Sequence, residues 1–189
     1  NDNLDALDVG RTPIFDCNGN GVEDALEIRL GGAADCNNNG RIDGCELTAV
    51  NYCTAATTTN GCNATMSAAG LPTASLTCPF SLVASSVEGG QSGIIFYGVT
   101  GPNASPWGTG FLCVKAPLER TGVQAAGGTA GLCDGSLVLD FNLWMATHPL
   151  AIGQPIFAGE AFWSQAWFRD PPSPKTTNMS DGLSFTLVP

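Results

Sequence analysis

SLVLDFNLW, residues 136–144, alternates with a period of two: Leu137, Leu139, Phe141 and Leu143 fall on one face, Val138, Asp140 and Asn142 on the other. That period predicts a half-buried strand. Working outward, SLTCPFSLVAS (75–85), SGIIFYGV (92–99), FLCVKA (111–116), AFWSQAWF (161–168) and LSFTLV (183–188) are short apolar runs set between Gly, Pro, Ser and Thr. Each predicts a further strand. NLWMATHPL adds at most one helical turn, and no long helical period competes, so residues 51–189 are expected to form an antiparallel β-sandwich. A chain of 189 residues with 43% hydrophobic content can bury a core of that kind.

Residues 1–50 differ in texture. They hold ten Asp and Glu against three Arg, a net of −7 out of −10 for the chain. Nucleic acids and anionic membranes need clustered Lys and Arg, so this segment suits cations instead. No apolar run is long enough to span a bilayer, and none has the shape of a signal peptide. Eight cysteines, no C-x-x-C pair and a lone His148 favour disulfides over zinc. The expectation is a secreted segment whose export signal lies upstream.

The acidic segment repeats with a period of 19. DALEI (24–28) falls on DALDV (5–9), and DCNGNG (16–21) on DCNNNG (35–40). Each unit reads D-x-N-x-N-G-x-x-D-x-x-E, the spacing of a twelve-residue calcium loop. Calcium takes six to eight hard oxygens, which assigns Asp16, Asn18, Asn20, the Val22 carbonyl, Asp24 and Glu27 to one ion. Asp35, Asn37, Asn39, the Arg41 carbonyl, Asp43 and Glu46 form the second set. Gly21 and Gly40 occupy the sharp turn at position 6. Asn/Asp/Gly clusters are also ordinary turns, but two complete loops in register, each closed by Glu, weigh against that reading. ALEIRL predicts a short helix after the first loop, ended by Gly31-Gly32. In the same phase Asn1, Asn3, Asp5 and Asp8 take positions 5, 7, 9 and 12 of a loop whose first residues are missing, a partial site expected to be completed either by an array that continues upstream or by a neighbouring molecule.

Loop followed by brief helix, twice, resembles the dockerin type of calcium module, itself similar to half of an EF-hand; Cys45 at position 11 also resembles thrombospondin type 3 repeats. YCTA and NGC near 52–62, FLCVKAP (111–117), WFRDPP (167–172) and NMSDGLSF (178–185) resemble a C-terminal β domain of secreted bacterial multidomain proteins. That likeness implies an architecture and an extracellular, bacterial setting, and no activity.

Other candidates are weaker. No Ser or Cys sits in a nucleophile elbow. Glu160 and Asp170 flank a strand as a glycosidase pair could, but salt bridges to Arg169, Arg120 or Lys175 are the simpler expectation. Trp107, Trp144, Trp163 and Trp167 would form a sugar-stacking platform if exposed in a row and ordinary core if buried; Trp144 and Trp163 are expected in the core. Asn63, Asn103 and Asn178 satisfy the glycosylation sequon. For the disulfides, Cys53 with Cys62 and Cys113 with Cys133 close local loops, leaving Cys78 for one of Cys17, Cys36 and Cys45.

Together these readings predict calcium-binding repeats over 1–50 and a β-sandwich over 51–189. The expected function is a non-enzymatic, calcium-stabilised extracellular structural or adhesion module, able to assemble into a filament or surface layer with itself or another extracellular protein. The alternative is a carbohydrate-binding appendage of a larger secreted enzyme, with polysaccharide as partner.

Overall fold

The computed structural model describes residues 15–189. The chain is mainly β, with 39% of its residues in strands and 10% in helices, and it divides into two compact units, 1–46 and 47–189.

In the first unit, helix α1 (Asp24–Leu30) follows the first acidic loop and helix α2 (Asp43–Glu46) ends the second. Gly31 closes α1 in the left-handed conformation, φ 73°, with its N–H donating to the Ile28 carbonyl and the Gly32 N–H donating to that of Glu27. A side chain at Gly31 would be strained there, which is why the helix stops at the glycine pair. Ile42 is the one buried apolar side chain among the described residues of this unit.

The second unit contains strands β1 (Ala49–Tyr52), β2 (Thr65–Gly70), β3 (Phe80–Val87), β4 (Ser92–Gly98), β5 (Pro102–Trp107), β6 (Gly110–Val114), β7 (Glu119–Arg120), β8 (Gln124–Ala125) and β9 (Gly135–Asp140). Helix α3 (Phe141–Thr147), β10 (Ala161–Arg169) and β11 (Thr177–Thr186) complete it. A six-stranded antiparallel sheet has the order β1-β11-β10-β4-β7, with β8 also on β4; a second sheet is β2-β3-β9, and β5-β6 form a separate hairpin. Alternation sorts the side chains. Along β10, Phe162, Ala166 and Phe168 join Ile95 and Tyr97 of β4 in the core, against Phe80, Leu82, Leu137 and Leu139 of the smaller sheet.

The run at 136–144 is not one strand. It pairs as β9 only as far as Asp140, whose Oδ1 accepts from the Leu143 N–H at 2.9 Å and so caps α3. This cap competes with the alternation and wins. Asn142, expected outside, is buried and donates to the carbonyls of Leu71 and Cys78, while Leu143, expected inside, is 59% exposed. The turn brings Phe141 into the aromatic centre, 5.0–6.1 Å from the rings of Phe185, Phe162, Tyr97 and Phe80.

The outer face of the large sheet is covered as well. Phe96, Val114 and Met179 form a second buried cluster there, flanked by Trp107, Leu112, Leu118, Trp163 and Trp167. Trp163 therefore packs under the hairpin rather than in the sandwich core, because it and Trp167 lie on the opposite face of β10 from Phe162. Trp144 packs at the core's margin and stacks on His148 at 3.6 Å. All four tryptophans are half-buried; Trp144 reaches the margin of the core expected for it, whereas Trp163 departs from that core placement.

Gln165 joins hairpin to sheet. Its Oε1 accepts from the Cys113 N–H at 2.9 Å, and its Nε2 donates to the carbonyls of Phe111 at 2.9 Å and Ser180 at 2.7 Å. Gln165→Ala should strand these groups and cost about 3 kcal/mol, since each buried polar group left unpaired costs about 1–3 kcal/mol. Urea unfolding would register it as a lower midpoint at constant slope; an unchanged midpoint would mean that the hairpin does not depend on this residue.

Along one side the two sheets are tied by Asp181, whose Oδ1 accepts from the Met66 N–H at 2.6 Å and whose Oδ2 accepts from Asn51 Nδ2 at 2.9 Å. Burial raises this carboxyl above the usual Asp range, the Met66 and Asn51 bonds opposing it. The Tyr52 ring lies against Gly182, where a Cβ would come within 2.6 Å of it, and the Tyr52 hydroxyl donates to the Cys113 carbonyl at 2.9 Å. Burial holds that phenol well above its ordinary pKa.

The disulfides do not follow sequence proximity. Cys53 pairs with Cys113 and Cys62 with Cys133, in place of the local pairs Cys53–Cys62 and Cys113–Cys133. Cys53 follows β1 directly, so the Tyr52–Cys113 contact sets it beside β6. Cys62 belongs to a turn held on Glu88 through Thr58 and Asn60. The Cys133 loop docks beside Glu88, with the Gly89 N–H donating to the Leu132 carbonyl at 2.8 Å. Long-range pairing, not loop length, sets which sulfurs meet. Cys17 pairs with Cys45 inside the first unit, Cys36 and Cys78 are also disulfide-bonded, and no cysteine is free. Full oxidation places the chain in an oxidising, extracellular environment, and no described helix is long and apolar enough to cross a membrane.

Candidate metal centres

The two acidic loops fold the same way. In the first, the Asp16 carboxylate accepts backbone N–H groups from Gly19, Asn20 and Gly21 at 2.8–3.2 Å. In the second, Asp35 accepts from Asn39 and Gly40, each at 3.0 Å. A carboxylate at position 1 is thus fixed by the turn that Gly21 and Gly40 permit, with φ 85° and 82°.

From the other end, Glu27 reaches back. Its oxygens accept from Asn18 Nδ2 at 3.1 Å and Asn20 Nδ2 at 2.7 Å; Glu46 accepts from Asn37 Nδ2 at 3.4 Å and Asn39 Nδ2 at 2.6 Å. The helix that begins at position 9 carries position 12 on its first turn, which aims the glutamate at the loop. The position 7 N–H groups, of Val22 and Arg41, donate to Asn20 Oδ1 and Asn39 Oδ1. Position 9 closes each loop: Asp24 Oδ1 accepts from the Cys17 N–H at 3.0 Å, and Asp43 Oδ1 from that of Cys36 at 2.9 Å. The Asp24 and Asp43 N–H groups donate to the Phe15 and Ala34 carbonyls at 2.9 and 2.8 Å.

Asp24 differs from its counterpart. It is 1% exposed, and its Oδ2 is buried without a hydrogen-bond partner. It also lies within 4.8 Å of the Cys17 and Cys45 sulfurs. Those sulfurs are bonded to each other and are not thiolate ligands, so this trio is no zinc site. The oxygen and amide donors of the loops fit a hard cation such as calcium. The staple and the depth of Asp24 were not foreseen from sequence; the position of Cys17 in one loop and Cys45 in the other was the available signal.

The other predicted sites are dispersed. Asn1, Asn3, Asp5 and Asp8 lie outside the described residues. Glu160 Oε2 accepts from the Phe157 N–H, and Asp170 is buried, accepting from Thr59 and Asn178 rather than from Arg or Lys. The salt bridges expected for this pair are therefore replaced by neutral donors. Asn63 is exposed, whereas Asn103 donates across its hairpin to the Leu112 carbonyl. Asn178 is 2% exposed with its Nδ2 engaged, which rules it out as a glycan acceptor.

No protein-family model, curated protein or solved structure matches the chain.

Proposed function

We propose that residues 16–46 bind two calcium ions through EF-hand-like loops, and that the chain is a calcium-stabilised extracellular structural or adhesion module of a bacterial surface or secretion. The observation that supports this reading is that both loops fold alike: Asp16 and Asp35 accept backbone N–H groups of their own turns, and Glu27 and Glu46 reach back to the Asn side chains at positions 3 and 5. Each loop carries three carboxylates within twelve residues, whose mutual repulsion a divalent ion would offset. Asp16, Asn18, Asn20, Asp24 and Glu27 would hold the first ion with the Val22 carbonyl; Asp35, Asn37, Asn39, Asp43 and Glu46 would hold the second with that of Arg41. Each asparagine supplies its Oδ1 by rotation of the amide, whose oxygen and nitrogen are nearly isosteric. Two asparagines per loop keep the ligand charge modest, which suits calcium-rich fluid. Assembly with other copies fits this role, with β1 as the outer strand of the large sheet and Val50 61% exposed upon it.

Amide NMR tests the ions. Adding calcium to stripped protein is expected to produce two saturable sets of shifts, centred on Gly21 and Gly40, whose N–H groups point at the position 1 carboxylates. Glu27→Gln should abolish the first set and spare the second. No saturable change up to about 10 mM calcium, above the range of weak extracellular modules, rejects the reading.

A further inference from the structure

The second unit carries a cleft of about 590 Å³ between the Thr57–Thr59 turn, the tip of the β5-β6 hairpin at Gly108 and Thr109, and the 173–178 segment that enters β11. Hydroxyls and an amide line it, and Lys175 supplies its only charge. The walls are fixed. Thr109 Oγ1 donates to the Thr57 carbonyl and accepts from the Thr57 N–H, both at 3.0 Å, which locks the hairpin tip to the turn. Behind them, the buried Asp170 Oδ2 accepts from the Thr59 N–H at 3.0 Å and from Asn178 Nδ2 at 2.8 Å.

Asn178 is the informative residue. Its Nδ2 donates to Asp170 and, at 3.3 Å, to the Thr57 carbonyl, so both amide protons are used and the orientation of the group is set. Its Oδ1 accepts no hydrogen bond among the described residues, although the residue is 98% buried. That oxygen faces Gly108, 3.8 Å from where a Cβ there would stand. A carboxamide oxygen fixed in orientation and opening onto the cleft wall, with no donor from the described residues, is placed to accept from a ligand.

We propose that this cleft binds a saccharide, with one ring hydroxyl donating to Asn178 Oδ1 and an oxygen substituent of the ring meeting the Lys175 ammonium. The lining decides the class. Threonine and serine hydroxyls set among threonine methyls, Pro106 and Pro174 match a ring that presents both hydroxyls and C–H faces, a single cation on a chain of net charge −10 disfavours polyphosphates and nucleic acids, and the volume lies within the range of small-ligand sites. Lys175 is held ready by its ammonium resting 4.6 Å from the centroid of the Trp107 ring. The absence of a side chain at Gly108 leaves the approach open. This site does not depend on whether residues 16–46 bind calcium.

The test is a titration of the full chain, with calcium present, against a neutral oligosaccharide (cellotetraose) and an acidic one (tetragalacturonate), followed by the side-chain amide signal of Asn178. Saturable shifts of that signal with at least one probe are expected; the two arms distinguish a neutral ring from one carrying a carboxylate. Gly108→Asn keeps a residue that tolerates its positive φ of 58° and fills the cleft, so it should abolish binding while leaving the thermal midpoint in place. Lys175→Gln, at an exposed position, should weaken binding about tenfold, as loss of a charge-assisted hydrogen bond does. No saturable shift with either sugar, or binding unchanged in both variants, overturns the proposal.

Discussion

Phe141→Ala is expected to remove about 3–5 kcal/mol from the stability of the second unit, the cost of emptying a large aromatic site in a closed core. The ring has no exposed surface and touches four other aromatic rings, one on the smaller sheet that leads into its helix and three on the large sheet. Those neighbours belong to β3, β4, β10 and β11, so collapse into the void would have to move both sheets. Such concerted movement is resisted by dense packing. For a chain of this size the loss corresponds to a fall of roughly 10 °C in melting temperature. Denaturant unfolding of the oxidised protein measures it directly. A change below about 1 kcal/mol would mean that the helix after Asp140 does not deliver Phe141 to the centre.

Calcium removal is expected to act on the other unit, and there to be nearly complete. Residues 15–46 bury one apolar side chain, Ile42, so the hydrophobic term that stabilises most domains is close to absent. What remains is the disulfide bonds of Cys17, Cys36 and Cys45, the loop hydrogen bonds and, on the proposed reading, two ions. At free calcium 100 times the dissociation constant, each ion contributes about 2.7 kcal/mol by mass action. Excess chelator withdraws that and leaves three mutually repelling carboxylates in each loop. Hydrogen exchange should then show amide protection vanishing across 16–46, including Gly21, Gly40 and α1, while β4, β10 and β11 keep theirs. Equal protection in chelator and in calcium would show that the loops stand on the disulfide and hydrogen bonds alone.

Local chemistry was legible in the sequence where it is decided locally. The twelve-residue spacing places the carboxylates of each loop, and Gly31 ends α1 where a left-handed residue is required. The alternation in SGIIFYGV and AFWSQAWF places Tyr97, Ile95, Phe162 and Phe168 inside. What escaped was set by partners distant in the chain. TMSAAG (65–70) and PNASPW (102–107) are too small and polar to announce strands; they become β2 and β5 because β3 and β6 lie beside them. The disulfides escaped for the same reason. At Asp140 two local signals conflict, an alternating pattern and a helix cap, and only the sandwich interior, which needs Phe141, resolves them. Trp163 and Trp167 share a face as the spacing requires, but no pattern within β10 reveals that a hairpin will cover it.

The position of β11 also bears on how the molecule is made. This strand, the last of the described ones to leave the ribosome, is an inner strand: it lies between β1 and β10, and Ala49 pairs with Phe185. It supplies Leu183 and Phe185 to the core. The large sheet therefore cannot close on a partly synthesised chain, since the gap between β1 and β10 stays unfilled until residue 186 has emerged. Closing such distant pairs is slow, which leaves the new chain extended for longer than a chain of consecutive hairpins would be.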